Sequence, residues 1–489
     1  MAENRIDMTN TIYDVIIIGA GLSGIGSACH LNKKNPEKSY LILESRESLG
    51  GTWDLFKYPG VRSDSDMYTF GYSFKTWDDA KSFADAASIL KYLNEASKEY
   101  NVIDKITYNQ RAISYAFDSK ENLWHITSVN TKTNQKHTYA ANFIFNCSGY
   151  YSYEKGYTPD YNGLDDYEGT FVHPQKWPST LELKNKDVIV IGSGATAVTI
   201  VPKIADTVSH VTMLQRSPTY VGALPNKDVL AKFFKLIFPK KIAHKIIRTK
   251  NVVLDMVFFN ACRKWPNTMK KYIVKKAQKE LGDVPVHPHF TPNYNPWEQR
   301  FCLAPDGDLF KSIREGKASV ETAKIVCFNK TGIVLESGKE LAADIIVSAT
   351  GLRILPLGGV SISINKKPVD ISKLFVYKGC MLSDIPNLFL FVGYTNASWT
   401  LKSDLTSEYI SRVLRYMDKS NFKSICPKTK NSNLKPTPLL NLNSGYIHRA
   451  QKILPNQGDK APWRVYQNYI LDYKMLRIDK IKDAFATFN

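Results

Sequence analysis

Two short runs of apolar, mostly β-branched residues mark the first half of the chain, YDVIII at 13–18 and DVIVI at 187–191, and each stops abruptly at a glycine. Runs without polar alternation predict strands buried on both faces, as in a parallel sheet covered by helices. Small and apolar residues then continue at helical spacing, and a second apolar strand follows at 39–43 and again at 210–215. Further runs at 143–146, 344–348 and 386–393 end in CSG, ATG and VG. Small residues there leave room for a crossing chain or a ligand, so these runs predict strands ending where the chain passes between two halves. The alternation of strand and helix predicts an α/β fold with two linked Rossmann-like dinucleotide-binding domains.

The glycines give those units a chemistry. Gly19-Ala20-Gly21-Leu22-Ser23-Gly24 is GxGxxG between a strand and a helix. Gly19 permits the tight turn, Gly21 lets a pyrophosphate approach the helix N-terminus, and Gly24 lets helix and strand pack closely. Glu44 follows the next strand, where a carboxylate can accept ribose hydroxyls. This unit is expected to hold FAD. The second unit reads Gly192-Ser193-Gly194-Ala195-Thr196-Ala197, or GxGxxA, and the position of Glu44 is taken by Gln215 and Arg216. An arginine pairs with a 2′-phosphate that a carboxylate would repel, so the second unit is expected to hold NADPH.

Composition narrows the class. The 489 residues are 43% hydrophobic and 23% charged, as in a soluble enzyme. Seven cysteines lie scattered with no CxxC, which argues against a disulfide framework, a zinc site or a dithiol redox pair. No metal is expected. The first twenty-odd residues lack a basic segment ahead of their short apolar run, and no stretch approaches the roughly 18 apolar residues of a membrane span. A cytoplasmic location is expected. The net charge of +19 is concentrated between 226 and 280, where fifteen Lys and Arg face three Asp and Glu. Apolar and basic residues mix there at helical spacing, predicting a helical module whose basic face is either solvated or a peripheral contact for a membrane or acidic partner. No nucleic-acid-binding motif accompanies the charge, so nucleic acid is not expected as a partner.

Several motifs resemble the Baeyer-Villiger monooxygenases. Tyr167-Glu168-Gly169-Thr170-Phe171-Val172-His173-Pro174-Gln175-Lys176-Trp177-Pro178 is similar to the family fingerprint FxGxxxHxxxW followed by Pro, with Tyr167 in place of Phe. Gly169, His173 and Trp177 are its fixed positions. N-hydroxylating relatives usually carry another aromatic at Trp177, so this stretch favours the ketone-oxygenating branch. Gly50-Gly51-Thr52-Trp53 and Tyr58-Pro59-Gly60-Val61-Arg62-Ser63-Asp64 resemble segments that wrap the flavin and supply an active-site carboxylate at Asp64. Glu298-Gln299-Arg300 resembles the place of a mobile active-site arginine, with Gln299 standing where a lysine is usual. Within the family, ESRESLGGTWDLFKYPGVRSDSDMYTFG, HVTMLQRSPTY, NPWEQRFCL and VGYTNASWTLKSDL look like a subgroup typified by a mycobacterial monooxygenase that activates a thioamide prodrug.

The resemblance implies an FAD-dependent, NADPH-consuming enzyme that uses a C4a-peroxyflavin to insert oxygen into ketones and also oxygenates sulfides or thioamides. An S- or N-oxygenating enzyme with a non-ketone substrate is the alternative, and a non-oxygenating NADPH flavin reductase a weaker one. Arg300 and Asp64 are the implied catalytic residues. Implied cofactor contacts are Gly51, Thr52, Trp53, Asp64, Tyr68, Ser193, Ala195, Thr196, Ser217 and Asn396, beside the glycines, Glu44 and Arg216. Substrates are a small ketone or sulfur compound and O2. The expected organisation is an FAD domain at 1–150, a linker carrying the fingerprint at 151–185, an NADPH domain at 186–222 and 300–375 interrupted by a basic helical insertion at 223–299, and a return to the FAD domain at 376–489.

Overall fold

The computed structural model describes residues 11–429, 433–440 and 445–489; the reading of the first ten residues lies outside these. The strand Ile12–Ile18 sits inside the first sheet, parallel to Tyr40–Leu43 on one side and Lys136–Asn146 on the other. Val15, Ile16 and Ile17 are wholly buried, as an unalternating apolar run demands. The long strand Lys136–Asn146 divides its partners. Its first half pairs antiparallel with Leu123–Asn130, and its last residues pair parallel with Leu388–Leu390. Residues from both ends of the chain therefore complete one sheet.

The second sheet is parallel throughout, in the order Ala318–Thr322, His210–Gln215, Asp187–Ile191, Ile345–Ser348 and Thr170–Val172. Two details depart from the expected organisation. Thr170–Val172, inside the expected linker, is the edge strand of this sheet. Ser361–Ile364 pairs with the Gln110–Asp118 strand of the first sheet, so the chain has returned there well before residue 375. Both strands are short and only partly buried, the first at a sheet edge and the second beside the two-residue edge strand Lys367–Pro368, and neither carries the continuous apolar run that marks a central strand.

Between the sheets' contributions lies the basic insertion, three helices at Val229–Ile237, Lys240–Lys264 and Pro266–Leu281. Pro266 occupies the first turn of the last helix, where its missing N–H costs nothing. The insertion is closed at its base by Val221–Leu224 pairing in parallel with Cys302–Pro305. A buried charge cluster ties it to the first half of the fold. Arg248 Nη2 donates to Asp404 at 3.0 Å, and His30 Nε2 lies 3.0 Å from the other oxygen of that carboxylate. Arg248 Nη1 also donates to the carbonyls of Tyr68 and Gly71, each at 2.7 Å.

Candidate active site

A cavity of about 1120 Å³ opens where the parallel strands of both sheets end, the usual place for ligands in such sheets. Its first wall is the glycine turn. Gly19 has φ +98°, and a Cβ there would lie 2.8 Å from the Cys147 carbonyl. A Cβ on Gly24 would lie 1.8 Å from the Gly19 carbonyl, so only glycine allows this strand and helix to meet. The helix Leu22–Lys34 begins at Gly21 without a side-chain cap, and Gly21, Leu22 and Ser23 line the cavity. Glu44 ends the neighbouring strand, buried, with Oε2 accepting the Ala20 N–H at 2.7 Å and Oε1 the Arg46 N–H at 2.8 Å. Gly51, packed against Gly21, lines the same wall together with Thr52 and Trp53. An acid, an uncapped helix N-terminus and an aromatic rim along one wall fit the ribose, pyrophosphate and ring of FAD.

The second wall repeats the device. Gly192, Ser193, Gly194, Ala195 and Thr196 line the cavity, and the helix Ala195–Ile204 also starts without a side-chain cap. A Cβ on Gly194 would meet nothing within 4 Å, leaving room for a diphosphate. The structure separates the two residues at the acid position. Gln215 is buried, its amide donating to the His289 carbonyl at 2.7 Å and to Thr322 Oγ1 at 2.9 Å. Arg216 and Ser217 are exposed and face the cavity, joined by Gln299 and by Lys324 from the loop after the adjacent strand. These residues fit NADPH.

The two walls meet at Arg300. Its Nη2 lies 2.8 Å from Asp64 Oδ2, with 41% and 27% of the two side chains exposed. Tyr150 stands beside this pair, its ring stacked on Trp399 with centroids 5.1 Å apart and its hydroxyl bonded to Tyr151. Burial pushes the Tyr150 hydroxyl above its ordinary pKa, against the nearby Arg300 charge, so it is protonated at neutral pH. Behind Arg300, Tyr150 and Trp399 lies a smaller pocket of about 90 Å³, walled by Leu357, Leu390, Phe391, Leu439 and Leu454. A fixed cation thus stands between two nucleotide clefts and an apolar recess.

The family model described as FMO-like, flavin-binding monooxygenase-like, matches residues 13–381. The chain belongs to this family. It is 49% identical over 478 residues to the FAD-containing monooxygenase EthA of Mycolicibacterium smegmatis, with 97% of both chains covered. Its fold matches an oxidized steroid monooxygenase bound to NADP, with a TM-score of 0.72, 21% identity and 86% and 88% of the two chains covered. It also matches the monooxygenase OTEMO in complex with FAD and NADP, with a TM-score of 0.70, 21% identity and 86% and 87% coverage. FAD is the resident cofactor of this flavin-binding monooxygenase, and the first wall of the cavity fits it.

The fingerprint residues of this monooxygenase lie behind the cavity rather than on it. His173 Nδ1 accepts the Gln175 N–H at 3.1 Å, so the proton sits on Nε2 and is donated to the Gly351 carbonyl, also at 3.1 Å. Burial lowers the pKa of this imidazole and keeps it neutral. Gly169 is pressed between Tyr167 and Asp344, and the Tyr167 hydroxyl donates to the Ala343 carbonyl at 2.8 Å. Trp177 packs on the apolar core beside the second sheet, which includes Val188, Val190 and Val347. The fingerprint therefore bolts the crossing chain to both ends of the Ile345–Ser348 strand, Tyr167 and Gly169 at its start and His173 just past its end.

Two expected cofactor contacts lie off the cavity. Tyr68 does not line the cavity; its buried ring faces the insertion, with Lys235 Nζ 5.2 Å from the ring centre. Asn396 turns away because its amide donates to the Gln467 carbonyl at 2.9 Å, while its neighbour Ala397 lines the cavity. Sequence reading missed Tyr150, Trp399 and Lys324. The aromatic pair that follows the CSG turn at 147–149 was the signal available for Tyr150.

Proposed function

We propose that this protein is an NADPH-consuming Baeyer-Villiger monooxygenase that converts ketones to esters or lactones. The observation that carries the reading is the Arg300–Asp64 pair, set in one cavity with both nucleotide clefts and backed by an apolar recess. Bound FAD, reduced by NADPH, would activate O2, one atom of which goes to the substrate while the other leaves as water. The protein supplies orientation, charge and dryness. Addition to a ketone throws negative charge onto the carbonyl oxygen, and Arg300 is placed to stabilise it. Oxygenation of a sulfide develops no such oxyanion, so the cation favours a carbonyl substrate. Asp64 orients the guanidinium, and Tyr150 with Trp399 walls the reacting end from solvent. The apolar recess accepts the hydrocarbon part of the ketone.

For the second cofactor, Arg216 and Lys324 hold the 2′-phosphate. Gln299 is neutral where relatives carry lysine, and Lys324 supplies the second cation from the neighbouring loop; its ion pair with Glu336 is long, 3.5 Å, and exposed. The protein works in the cytoplasm, with its basic helical insertion in peripheral contact with a membrane. NADPH oxidation measured with a linear ketone, an aryl methyl sulfide and an amine, with hydrogen peroxide followed alongside, tests the activity. Coupled turnover of the ketone supports it; coupled turnover of only the sulfide or amine overturns it.

A further inference from the structure

The helix Val229–Ile237 carries its apolar residues on the wrong side for a core. Ala231 and Phe234 face inward, while Val229, Leu230, Phe233, Leu236 and Ile237 are 78%, 53%, 54%, 79% and 56% exposed. At 100° per residue these five fall within about a third of the helix circumference, opposite Ala231. The next helix continues the pattern. Ile242, Val253, Leu254 and Val257 are exposed on it, beside its buried Ala243, Ile247 and Arg248. Exposed apolar patches of this size mark an interaction surface rather than a solvated face.

Lysines flank the patch. Lys227, Lys232, Lys241 and Lys245 are exposed and enter no ion pair among the described residues, whereas Lys240 is paired with Asp78 and Lys250 with Asp228. A second copy of the chain is a poor occupant, because a two-fold contact would set this patch on itself and bring the same lysines face to face. A surface that is apolar beneath and negatively charged above satisfies both halves. No helix of the described residues is long and apolar enough to cross a membrane, which leaves docking on the surface.

We propose that the Val229–Ile237 face docks on a bilayer bearing anionic headgroups, burying Leu230, Phe233, Leu236 and Ile237 at the acyl boundary while the flanking lysines meet the phosphates. This rests on the membrane-contact reading and specifies its lipid. The test is co-sedimentation of the full-length, FAD-loaded protein with vesicles of phosphatidylcholine alone and of phosphatidylcholine mixed with phosphatidylglycerol. Binding is expected to the mixed vesicles and to weaken with added salt. Leu236→Asp and Phe233→Asp lie on exposed positions that the fold does not need, and each is expected to reduce binding by about tenfold or more while FAD content and ketone turnover stay at the parent level. Lys232→Glu and Lys241→Glu are each expected to weaken binding to mixed vesicles about fivefold or more and to leave neutral vesicles unaffected. Equal binding to both vesicles keeps the membrane contact and overturns the anionic preference. Absence of binding to either overturns both, as does a doubled molar mass in solution that Leu236→Asp abolishes without any vesicle binding.

Discussion

Replacing Arg300 with alanine removes the cation from the junction of the two nucleotide clefts while leaving both clefts lined as before. In the resting protein the contact with Asp64 is a 2.8 Å ion pair whose partners keep 41% and 27% of their side-chain surface in solvent. A pair that wet contributes about 0–1 kcal/mol to folding, so the variant is expected to melt within ~3 °C of the parent. The effect on rate is larger. Losing one preorganised donor to a developing oxyanion costs on the order of 10²–10³-fold, or about 2.7–4 kcal/mol. The expected signature is a split: FAD remains bound, NADPH is still oxidised, and the oxygen consumed leaves as hydrogen peroxide instead of ester. Arg300→Lys restores the charge but not the planar fork that Asp64 holds, and should fall between. Ester yield by chromatography, peroxide by a coupled dye and melting by flavin fluorescence check the three arms. Ester formation at the parent rate refutes the role; loss of FAD or a melting drop much beyond ~3 °C makes Arg300 a structural residue.

Three other outcomes are expected. Gly24→Ala forces a Cβ to 1.8 Å from the Gly19 carbonyl, so the turn must open and most bound FAD should be lost; a parent ratio of flavin to protein absorbance contradicts this. Arg216→Ala and Lys324→Ala should each raise KM for NADPH about tenfold or more, the worth of one charge-assisted hydrogen bond, without changing KM for NADH, and NADP+ titration calorimetry should show the same ranking. A Lys324→Ala enzyme that binds NADP+ like the parent excludes the second cation. Burial and the charges of Arg248 and Lys235 push the His244 imidazole from 6.5 down to about 4. As pH falls through that window the unfolded chain takes up the proton first, so stability declines by roughly 3 kcal/mol between pH 6.5 and 4. His244→Phe should flatten this segment of the profile in urea titrations run across pH, and an unchanged slope refutes it.

Both nucleotide units were legible in the sequence because their signals are local: an apolar run, glycines at fixed offsets and the residue ending the next strand. Glu44 and Arg216 stand where that logic places them, and Asp64 and Arg300 meet although 236 positions separate them. What stayed hidden depends on direction or on distance along the chain. Asn396 sits in a cavity-lining loop, but its rotamer answers to Gln467, which no pattern near residue 396 reveals. Tyr68 is a small-helix aromatic whose ring follows the insertion rather than the flavin turn. The Tyr150–Trp399 stack and the Arg248–Asp404 bond join residues with no shared periodicity. The early return of the chain at Ser361 has no local signal, because a half-buried strand of four residues with serines at alternate positions looks like loop.

The parallel pairing of Val221–Leu224 with Cys302–Pro305 has a consequence for how such a protein can change over generations. Parallel neighbours cannot be joined by a tight turn and need a long crossover, and here the three-helix insertion is that crossover. Arg300 stands two residues before the second strand, so its position is set by the register of four residue pairs and not by what the helices between them look like. Lineages are therefore free to lengthen, shorten or recharge the insertion, and with it the apolar and basic face it presents, while the arginine keeps its place. One clamp of eight residues separates the part of the molecule that must stay from the part that can be rewritten.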